Sequence, residues 1–155
     1  MKQKTQKHYT DSIYYDIEQT ARLMRVLTSK TFEALGIEMT LDEHAALDTI
    51  SCNSGICQRD LAKIILKDRA NTGRILNSLE EKNLITRFVD VKNNRLIKKM
   101  AITELGYKTL EDTNLKLRTH FKRFSDIFTK TEIEKLQENI RAFRNSLSKC
   151  VEMNI

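Results

Sequence analysis

The stretch DRANTGRILNSLEEKNLITR, residues 68–87, contains the pattern that decides the fold. Its apolar side chains recur at steps of three and four residues, which predicts a helix from about Arg69 to Lys82. Asp68 stands at the N-cap position, and Asn83 suits the left-handed conformation that ends many helices. The side chains predicted to face the core are Thr72, Ile75, Leu76 and Leu79.

Two further helices are predicted upstream of this one. The residues Thr40-Leu41-Asp42-Glu43 form a capping box, which opens a helix that ends near Cys52 at the turn Asn53-Ser54-Gly55. The next helix spans about Gln58 to Leu66. We expect its inner face to be buried through Leu61, Ile64 and Ile65.

Two β-prone segments follow the helix of residues 69–82. They cover about Leu84–Val89 and Leu96–Ile102, and the polar residues 90–95 between them predict a hairpin tip. Two helices joined by a short connection and followed by a basic hairpin form the order of a winged helix-turn-helix. A helix about 10–12 Å in diameter fits the major groove of B-DNA, which is about 12 Å wide. The predicted fold class is mainly α with a small β-hairpin wing.

The outward face of the 69–82 helix is predicted to read DNA bases. Asn suits a bidentate contact to adenine and Arg one to guanine, each worth about 1–3 kcal/mol of discrimination. Gly73 costs roughly 1 kcal/mol relative to Ala in mid-helix, so it either permits close approach of DNA or packs against the hairpin. The predicted DNA-binding residues of this helix are Arg69, Asn71, Thr72, Gly73, Arg74, Asn77 and Ser78. The predicted wing contacts are Lys92, Asn93, Asn94 and Arg95, and Gln58 and Arg59 are expected to bind phosphates.

Long amphipathic helices flank the winged segment, and no proline interrupts them. The first runs from Asp11 to about Leu35 and ends at Gly36; two more follow Thr103, the second opened by the capping box at residues 129–132. A small winged module cannot cover their apolar stripes, so we expect a homodimer with its recognition helices about 34–36 Å apart on a palindrome. A monomer with these helices packed together is the alternative. The predicted dimer contacts are Ile13, Ile17, Leu136, Ile140, Phe143 and Leu147.

Composition and charge narrow the function. The 155 residues carry a net charge of +6, and residues 58–100 alone hold 11 basic and 5 acidic side chains, which is typical of a polyanion-binding patch. No apolar run suggests a membrane span, and the first residues lack the apolar stretch of a signal peptide, so we expect a cytoplasmic protein. We expect one domain over residues 1–155, with a DNA-binding lobe at 40–102 and a dimerisation lobe at 8–36 and 103–155.

No sequence motif indicates an enzyme. The chain has no Gly-rich phosphate loop and no nucleophile–base signature, so we predict no catalytic residues and no cofactor. His44 beside Glu43, together with His120, leaves metal sensing as an alternative. The sequence lacks the H-x-x-x-H and C-x-x-C spacings, however, and we therefore predict no metal site.

Four stretches carry a family pattern: residues 40–50, residues 59–63, residues 68–87 and Ile102-Thr103-Glu104-Leu105-Gly106. In this order and spacing they resemble the MarR family of transcriptional regulators over nearly the whole chain. In the wing, Asn93 replaces the Asp of the family's D-x-R, while Arg95 keeps the Arg. Asn83 stands where the family commonly has Gly, and one extra residue after Arg95 predicts a bulge near Lys98-Lys99.

The resemblance implies a DNA-binding repressor that is released by a small-molecule or oxidant signal. Family members commonly sense small phenolic or other aromatic compounds, and Tyr9, Tyr14 and Tyr15 are candidates for such a pocket or for the dimer interface. A redox-sensing regulator that uses Cys52, Cys57 and Cys150 is an alternative, although the peroxide-sensing branch has its Cys in the first helix, where Ala21 aligns here. A second alternative is a winged-helix module that binds protein or RNA without an operator.

Overall fold

The structure is a computed structural model that describes residues 8–92, 95–125 and 127–150, without the side chains of residues 92, 95 and 123–125. The chain divides into two compact units after Leu41. Within the described ranges, none of the helices combines the length and apolar character needed to cross a membrane.

The first unit contains a 3₁₀ turn at Tyr9–Asp11 and helix α1 at Ile13–Ala34. Ser12 caps α1, because its side chain accepts a hydrogen bond from the backbone N–H of Tyr15 at 3.3 Å. Gly36 follows the helix in the left-handed conformation, with a φ of +61°. The predicted helix and its glycine end are both confirmed.

The second unit contains five helices and three strands in the described residues. In chain order they are α2 Leu41–Cys52, β1 Ile56–Cys57, α3 Gln58–Ile65, α4 Arg69–Glu81, β2 Ile85–Lys92, β3 Arg95–Ile102, α5 Glu104–Ser125 and α6 Lys130–Cys150. Every helix predicted from the sequence is present within a few residues of its expected bounds. The fold is therefore mainly helical with a small antiparallel sheet, as predicted.

The sheet has the order β1-β3-β2, with all pairs antiparallel. The pairing of β2 with β3 is unbroken from Ile85 opposite Ile102 to Lys92 opposite Arg95, so the predicted bulge near Lys98-Lys99 is wrong. The predicted six-residue tip is also wrong, because the strands continue to Lys92 and resume at Arg95. Strand β1 was not predicted, since two residues are too few to show an alternating pattern.

The core of the second unit is built from α2, α3, α4 and the base of the sheet. Its fully or almost fully buried apolar residues include Ala46, Leu47, Ile50, Leu61, Ala62, Leu76, Leu79, Leu84, Ile85, Met100 and Leu110. The prediction for Ile64 is wrong, because its side chain is 55% exposed, whereas Ala62 is buried. Helix α3 has only eight residues and ends at Leu66, which has a φ of 55°, so its inner face is narrow.

Side-chain caps and left-handed residues set the helix ends where the sequence placed them. The carboxylate of Asp68 accepts the N–H of Asn71 at 2.8 Å, and Asn83 ends α4 with a φ of 57°. Thr103 Oγ1 accepts the N–H of Gly106 at 3.0 Å at the start of α5. The capping box before α6 is confirmed, since Thr129 N donates to Glu132 Oε2 at 2.8 Å and Glu132 N donates to Thr129 Oγ1 at 3.3 Å.

Gly106 is required by a close approach between the start of α5 and the sheet. A Cβ atom at this position would lie 2.1 Å from the carbonyl oxygen of Leu84 and 2.7 Å from Ile102 Cγ1. Backbone cannot move aside as a flexible side chain can, so only glycine fits. Gly73 differs, because its Cβ would meet only the Nε2 of Gln58, at 3.4 Å.

Replacing Gly106 by Ala is therefore expected to destabilise the fold by about 1–3 kcal/mol, because the new methyl group overpacks against backbone. The matched change Gly73→Ala is expected to stabilise it by up to about 1 kcal/mol, because it removes a glycine from a helix interior. Urea unfolding monitored by circular dichroism measures both free energies. Equal effects of the two substitutions would contradict this account.

Candidate nucleic-acid interface

The outward face of α4 presents four polar side chains to solvent. Arg69, Asn71, Arg74 and Asn77 are all exposed, as the helical phase predicted. Thr72 is fully buried, and its hydroxyl donates to the carbonyl oxygen of Asp68 at 2.8 Å, so its inclusion among the predicted DNA-binding residues is wrong. The physical reason is its phase, which places it on the same side of α4 as Leu76 and Leu79.

Ser78 is half-buried and takes part in a contact between α4 and α2. Its hydroxyl donates to the carboxylate of Glu43, and Lys82 Nζ lies 3.0 Å from both oxygens of the same carboxylate. Glu43 is 5% exposed, and a buried carboxylate is tolerated when it is paired and hydrogen-bonded in this way. Ser78 therefore joins α4 to α2 through this hydrogen bond and does not belong to the exposed face of α4. The sequence had indicated only a capping role for Glu43.

Asn71 is held at both ends of its amide. Its Nδ2 donates to the carboxylate of Asp68, and its Oδ1 accepts a hydrogen bond from Arg74 Nη1 at 3.2 Å. The backbone and side-chain hydrogen bonds from Asn71 lower the pKa of Asp68 below its ordinary value of 3.8. The N-cap of α4 is thereby connected through Asn71 to the guanidinium of Arg74.

Arg87 of β2 reaches the exposed face of α4. Its Nη2 donates to Asn77 Oδ1 at 2.8 Å, and its Nη1 lies 3.5 Å from Glu80 Oε2. The Arg87 side chain is only 25% exposed. The sequence pattern did not predict a role for Arg87 beyond its contribution to the positive charge of residues 58–100. The available signal was the strand period, since Arg87 lies two residues after the buried Ile85 and therefore on the same face of β2.

A basic groove lies at the starts of α3 and α4, against β3. Its volume is about 530 Å³, and it is lined by Cys57, Gln58, Arg59, Ala62, Arg69, Leu96, Ile97 and Lys98. Gln58 Nε2 also donates to the carbonyl oxygen of Arg69 at 3.0 Å, which joins the two helices. The structure therefore brings the predicted phosphate residues Gln58 and Arg59 together with Arg69, and it adds Lys98, which the sequence had not singled out.

The tip of the wing, Asn93 and Asn94, lies outside the described residues, as do the side chains of Lys92 and Arg95. Their proposed contacts with DNA stay predictions. Below the tip, Lys99 Nζ lies 2.6 Å from Asp90 Oδ2 across the two strands. This contact, together with a backbone hydrogen bond from Val91, lowers the pKa of Asp90.

The cysteines and histidines are dispersed. Cys52 and Cys150 are exposed and Cys57 is half-buried, and all three are free thiols. The Cys57 thiol donates to Asp60 Oδ2 at 3.1 Å, and this bond is the main cause of the lowered pKa of Asp60. His44 Nε2 lies 2.8 Å from Asn114 Oδ1. In the part of the chain that the structure describes, no three His, Cys, Asp or Glu residues form a group that could hold a metal ion.

Five of the six predicted dimer contacts are exposed on the single chain. The exposed fraction is 58% for Ile13 and about half for Leu136 and Ile140, and Ile17 and Leu147 are also exposed. Phe143 is half-buried. Apolar side chains of this size are usually covered in the functional assembly when they form a continuous stripe.

The known proteins that are similar to this chain are transcriptional regulators. Residues 39–97, from just before α2 into β3, match the model of the MarR family. Two uncharacterized HTH-type transcriptional regulators of Bacillus subtilis (strain 168) are similar in sequence. YybA is 32% identical over 98 residues, which is 63% of each chain, so the match spans less than two thirds of that relative. YpoP is 28% identical over 125 residues, or 80% of this chain and 88% of YpoP.

Solved structures share the fold. The transcriptional regulator SlyA superimposes with a TM-score of 0.74 at 25% identity and covers 89% of this chain and 95% of its own. The MepR–DNA complex of S. aureus has a TM-score of 0.72 at 22% identity, with 88% of this chain and 98% of the MepR chain covered. At 22% identity, the similarity to MepR shows a shared fold and nothing further.

A change of Asp68 to Asn tests the polar network at the start of α4. Asn keeps an oxygen at the N-cap but removes the charge. Because the folded-state pKa of Asp68 is lowered, its ionised form stabilises the fold above the ordinary pKa of 3.8, and this contribution is lost as the pH falls through the folded-state pKa. We therefore expect the stability advantage of the unaltered chain over Asp68→Asn to shrink below pH 3.8. Thermal unfolding of both proteins across acidic pH measures it, and a constant difference would refute the expectation.

Proposed function

We propose that the chain is a member of the MarR family of transcriptional regulators, whose model matches residues 39–97, and that it binds a palindromic operator as a homodimer and represses transcription. One observation carries the proposal most directly: the exposed polar face of α4 lies beside a basic groove formed by the starts of α3 and α4 and by β3. A protein that regulates transcription acts where the DNA is, so we propose the cytoplasm as its location.

Helix α4 is proposed as the recognition helix. Its 13 residues give a length of about 20 Å, enough to lie along the major groove with its exposed face toward the bases. Arg74 is the central side chain of that face, and a guanidinium suits the O6 and N7 acceptors of guanine. Thr72 and Ser78 are excluded from this role, because their side chains are engaged in the interior.

The basic groove is proposed to bind the DNA backbone. Arg59, Arg69 and Lys98 supply positive charge around it, and Gln58 supplies an amide donor. Cations at such a site release counterions from DNA and position the protein without selecting a sequence. The wing tip, with Lys92 and Arg95 beside it, is proposed to reach the adjacent minor groove together with Asn93 and Asn94.

The homodimer is proposed from the exposed apolar stripes of α1 and α6. In α6 the residues Leu136, Ile140 and Leu147 recur at coiled-coil spacing and are each more than 40% exposed on the single chain. A second copy is proposed to cover these residues, with residues 8–36 and 103–155 as the dimerisation lobe and residues 40–102 as the DNA-binding lobe. A two-fold axis would then pair two α4 helices with two half-sites.

A small aromatic compound is proposed as the releasing signal. In the first unit, the rings of Tyr9 and Tyr15 form an edge-to-face pair with centroids 5.8 Å apart. The hydroxyl of Tyr9, a largely exposed residue, donates to Glu18 Oε2 at 3.2 Å. Such an aromatic pair can contact a further ring. The oxidant alternative would act on Cys57, whose thiol lines the basic groove.

Selection from a random pool of DNA duplexes tests the function. We expect the full chain to enrich an inverted repeat whose half-site centres lie about 10 base pairs apart, one turn of B-DNA. Arg74→Ala is then expected to lose about 1–3 kcal/mol of affinity for the selected site and much less for random duplex. Fluorescence anisotropy at several salt concentrations measures both.

The matched control for Arg74 is Lys98→Ala in the basic groove. This change should weaken binding to all sequences alike and reduce the salt slope by about 1, because one phosphate contact is lost. If Arg74→Ala and Lys98→Ala behave identically on selected and random DNA, Arg74 does not read bases.

The change Ile140→Glu tests the dimer. Because Ile140 is half exposed on the single chain, the charge should leave the protomer folded but prevent association at micromolar concentration. Asn145→Glu, on the opposite side of α6, is the control and should leave the dimer intact. Analytical ultracentrifugation gives the mass, and circular dichroism gives the helix content. A monomeric unaltered chain would contradict the dimer, and a dimeric Ile140→Glu variant would contradict the proposed interface on α6.

A further inference from the structure

Two amide side chains on the exposed face of α4 have orientations that chemistry fixes. An arginine guanidinium only donates hydrogen bonds and a carboxylate only accepts them. The oxygen of Asn77 must therefore point toward Arg87, whose Nη2 lies 2.8 Å away. In the same way Asn71 must turn its oxygen toward Arg74 and its nitrogen toward Asp68.

These orientations disfavour the adenine contact that asparagine residues on a recognition helix suggest. A bidentate contact needs the amide oxygen to accept from adenine N6 while the amide nitrogen donates to N7. At Asn77 the oxygen already accepts a charge-assisted hydrogen bond. The guanidinium of Arg87 would also face the N6 amino group, donor against donor. The nitrogen of Asn77, by contrast, donates no hydrogen bond within the described residues and is therefore available to DNA.

Further contacts hold the Arg87 side chain in place. Moving it away from Asn77 would break them and would therefore cost free energy. Its other terminal nitrogen lies 3.5 Å from Glu80, one turn further along α4, and its side chain is three-quarters buried between α4 and β2. Glu80 and Glu81 are the acidic residues of α4, and both lie at its C-terminal end. Between Arg69 and Ser78 the helix therefore carries donors but no carboxylate that could accept from adenine N6 or cytosine N4.

We propose that Arg87 and Asp68 convert the exposed face of α4 into a donor surface, so that Asn77 and Arg74 both read the acceptor edge of guanine. This inference rests on the proposed operator binding and specifies which bases the operator presents. Arg87 is a positioning residue here, because it acts through its hydrogen bond to Asn77. Asn71 is likewise a positioning residue, because it orients the guanidinium of Arg74.

The test is selection from a random duplex pool with the full chain and with Asn77→Ala, whose side chain is exposed. We expect one position of each half-site to be guanine with the unaltered chain. That preference should fall by about tenfold in Asn77→Ala, as the loss of one good base contact predicts. Adenine at the position that depends on Asn77 would overturn the inference, and so would an unchanged preference in the variant.

Two further variants separate positioning from simple damage. Arg87→Ala frees the Asn77 oxygen, so adenine should rise to within about threefold of guanine at that position, because the contact becomes available to both bases. Glu80→Gln removes the ion pair but keeps the Arg87–Asn77 hydrogen bond, and it should leave the base preference unchanged. Thermal unfolding shows whether Arg87→Ala still folds. If it does not, the base preferences of the unaltered chain and of Asn77→Ala are still sufficient to test the inference.

Failure of the inference and failure of the proposed function give different results. A chain that binds no duplex, or enriches no sequence, contradicts the proposed operator binding. A chain that enriches a clear inverted repeat with adenine at the Asn77-dependent position supports operator binding but contradicts the donor surface. An enriched repeat with guanine at that position, lost in Asn77→Ala, supports both.

Discussion

The buried face of α4 is the constraint on which the candidate interface depends. Thr72, Leu76 and Leu79 are almost completely excluded from solvent, so the helix cannot rotate about its axis without exposing them. The opposite face is thereby fixed outward. The paired carboxylate of Glu43 adds a second restraint, because it joins α2 to the C-terminal half of α4 through Ser78 and Lys82. A recognition helix needs this rigidity, since base readout depends on side chains held in a defined register.

Hydrogen bonds across the surface then determine what the fixed face can recognise. Arg87 connects the second strand to Asn77, and Asn71 connects the helix cap to Arg74. Each contact occupies one lone pair of an amide oxygen and places a guanidinium beside that oxygen. The chemical character of the face consequently follows from neighbouring elements as well as from the residues of α4 themselves. A list of outward side chains therefore describes which residues are available and not which bases they prefer.

The positive charge of residues 58–100 is organised in a similar way. Several of its cations are paired with carboxylates, among them Lys67 with Asp42 at 2.7 Å and Lys99 with Asp90 at 2.6 Å. These pairs join parts of the fold. Arg59, Arg69 and Lys98 surround the groove at the starts of α3 and α4, and Arg59 is also paired with its neighbour Asp60 at 3.6 Å. The net charge indicated a polyanion partner, whereas the structure distinguishes cations in ion pairs between elements from cations that line the groove proposed to bind DNA.

The sequence by itself determined the helices, their caps and the phase of α4, because apolar periodicity and capping residues act over a few neighbouring positions. It also determined that Arg74 and Asn77 face outward. Only the tertiary structure decided the contacts made over long sequence separations: β1 beside β3, Glu43 beside Ser78, and the reach of Arg87 to α4. The tertiary structure likewise decided the unbroken register between β2 and β3 and the exposure of Ile64. Partners that lie 10 to 44 residues apart leave no periodic signal, so their pairing follows from how the elements pack.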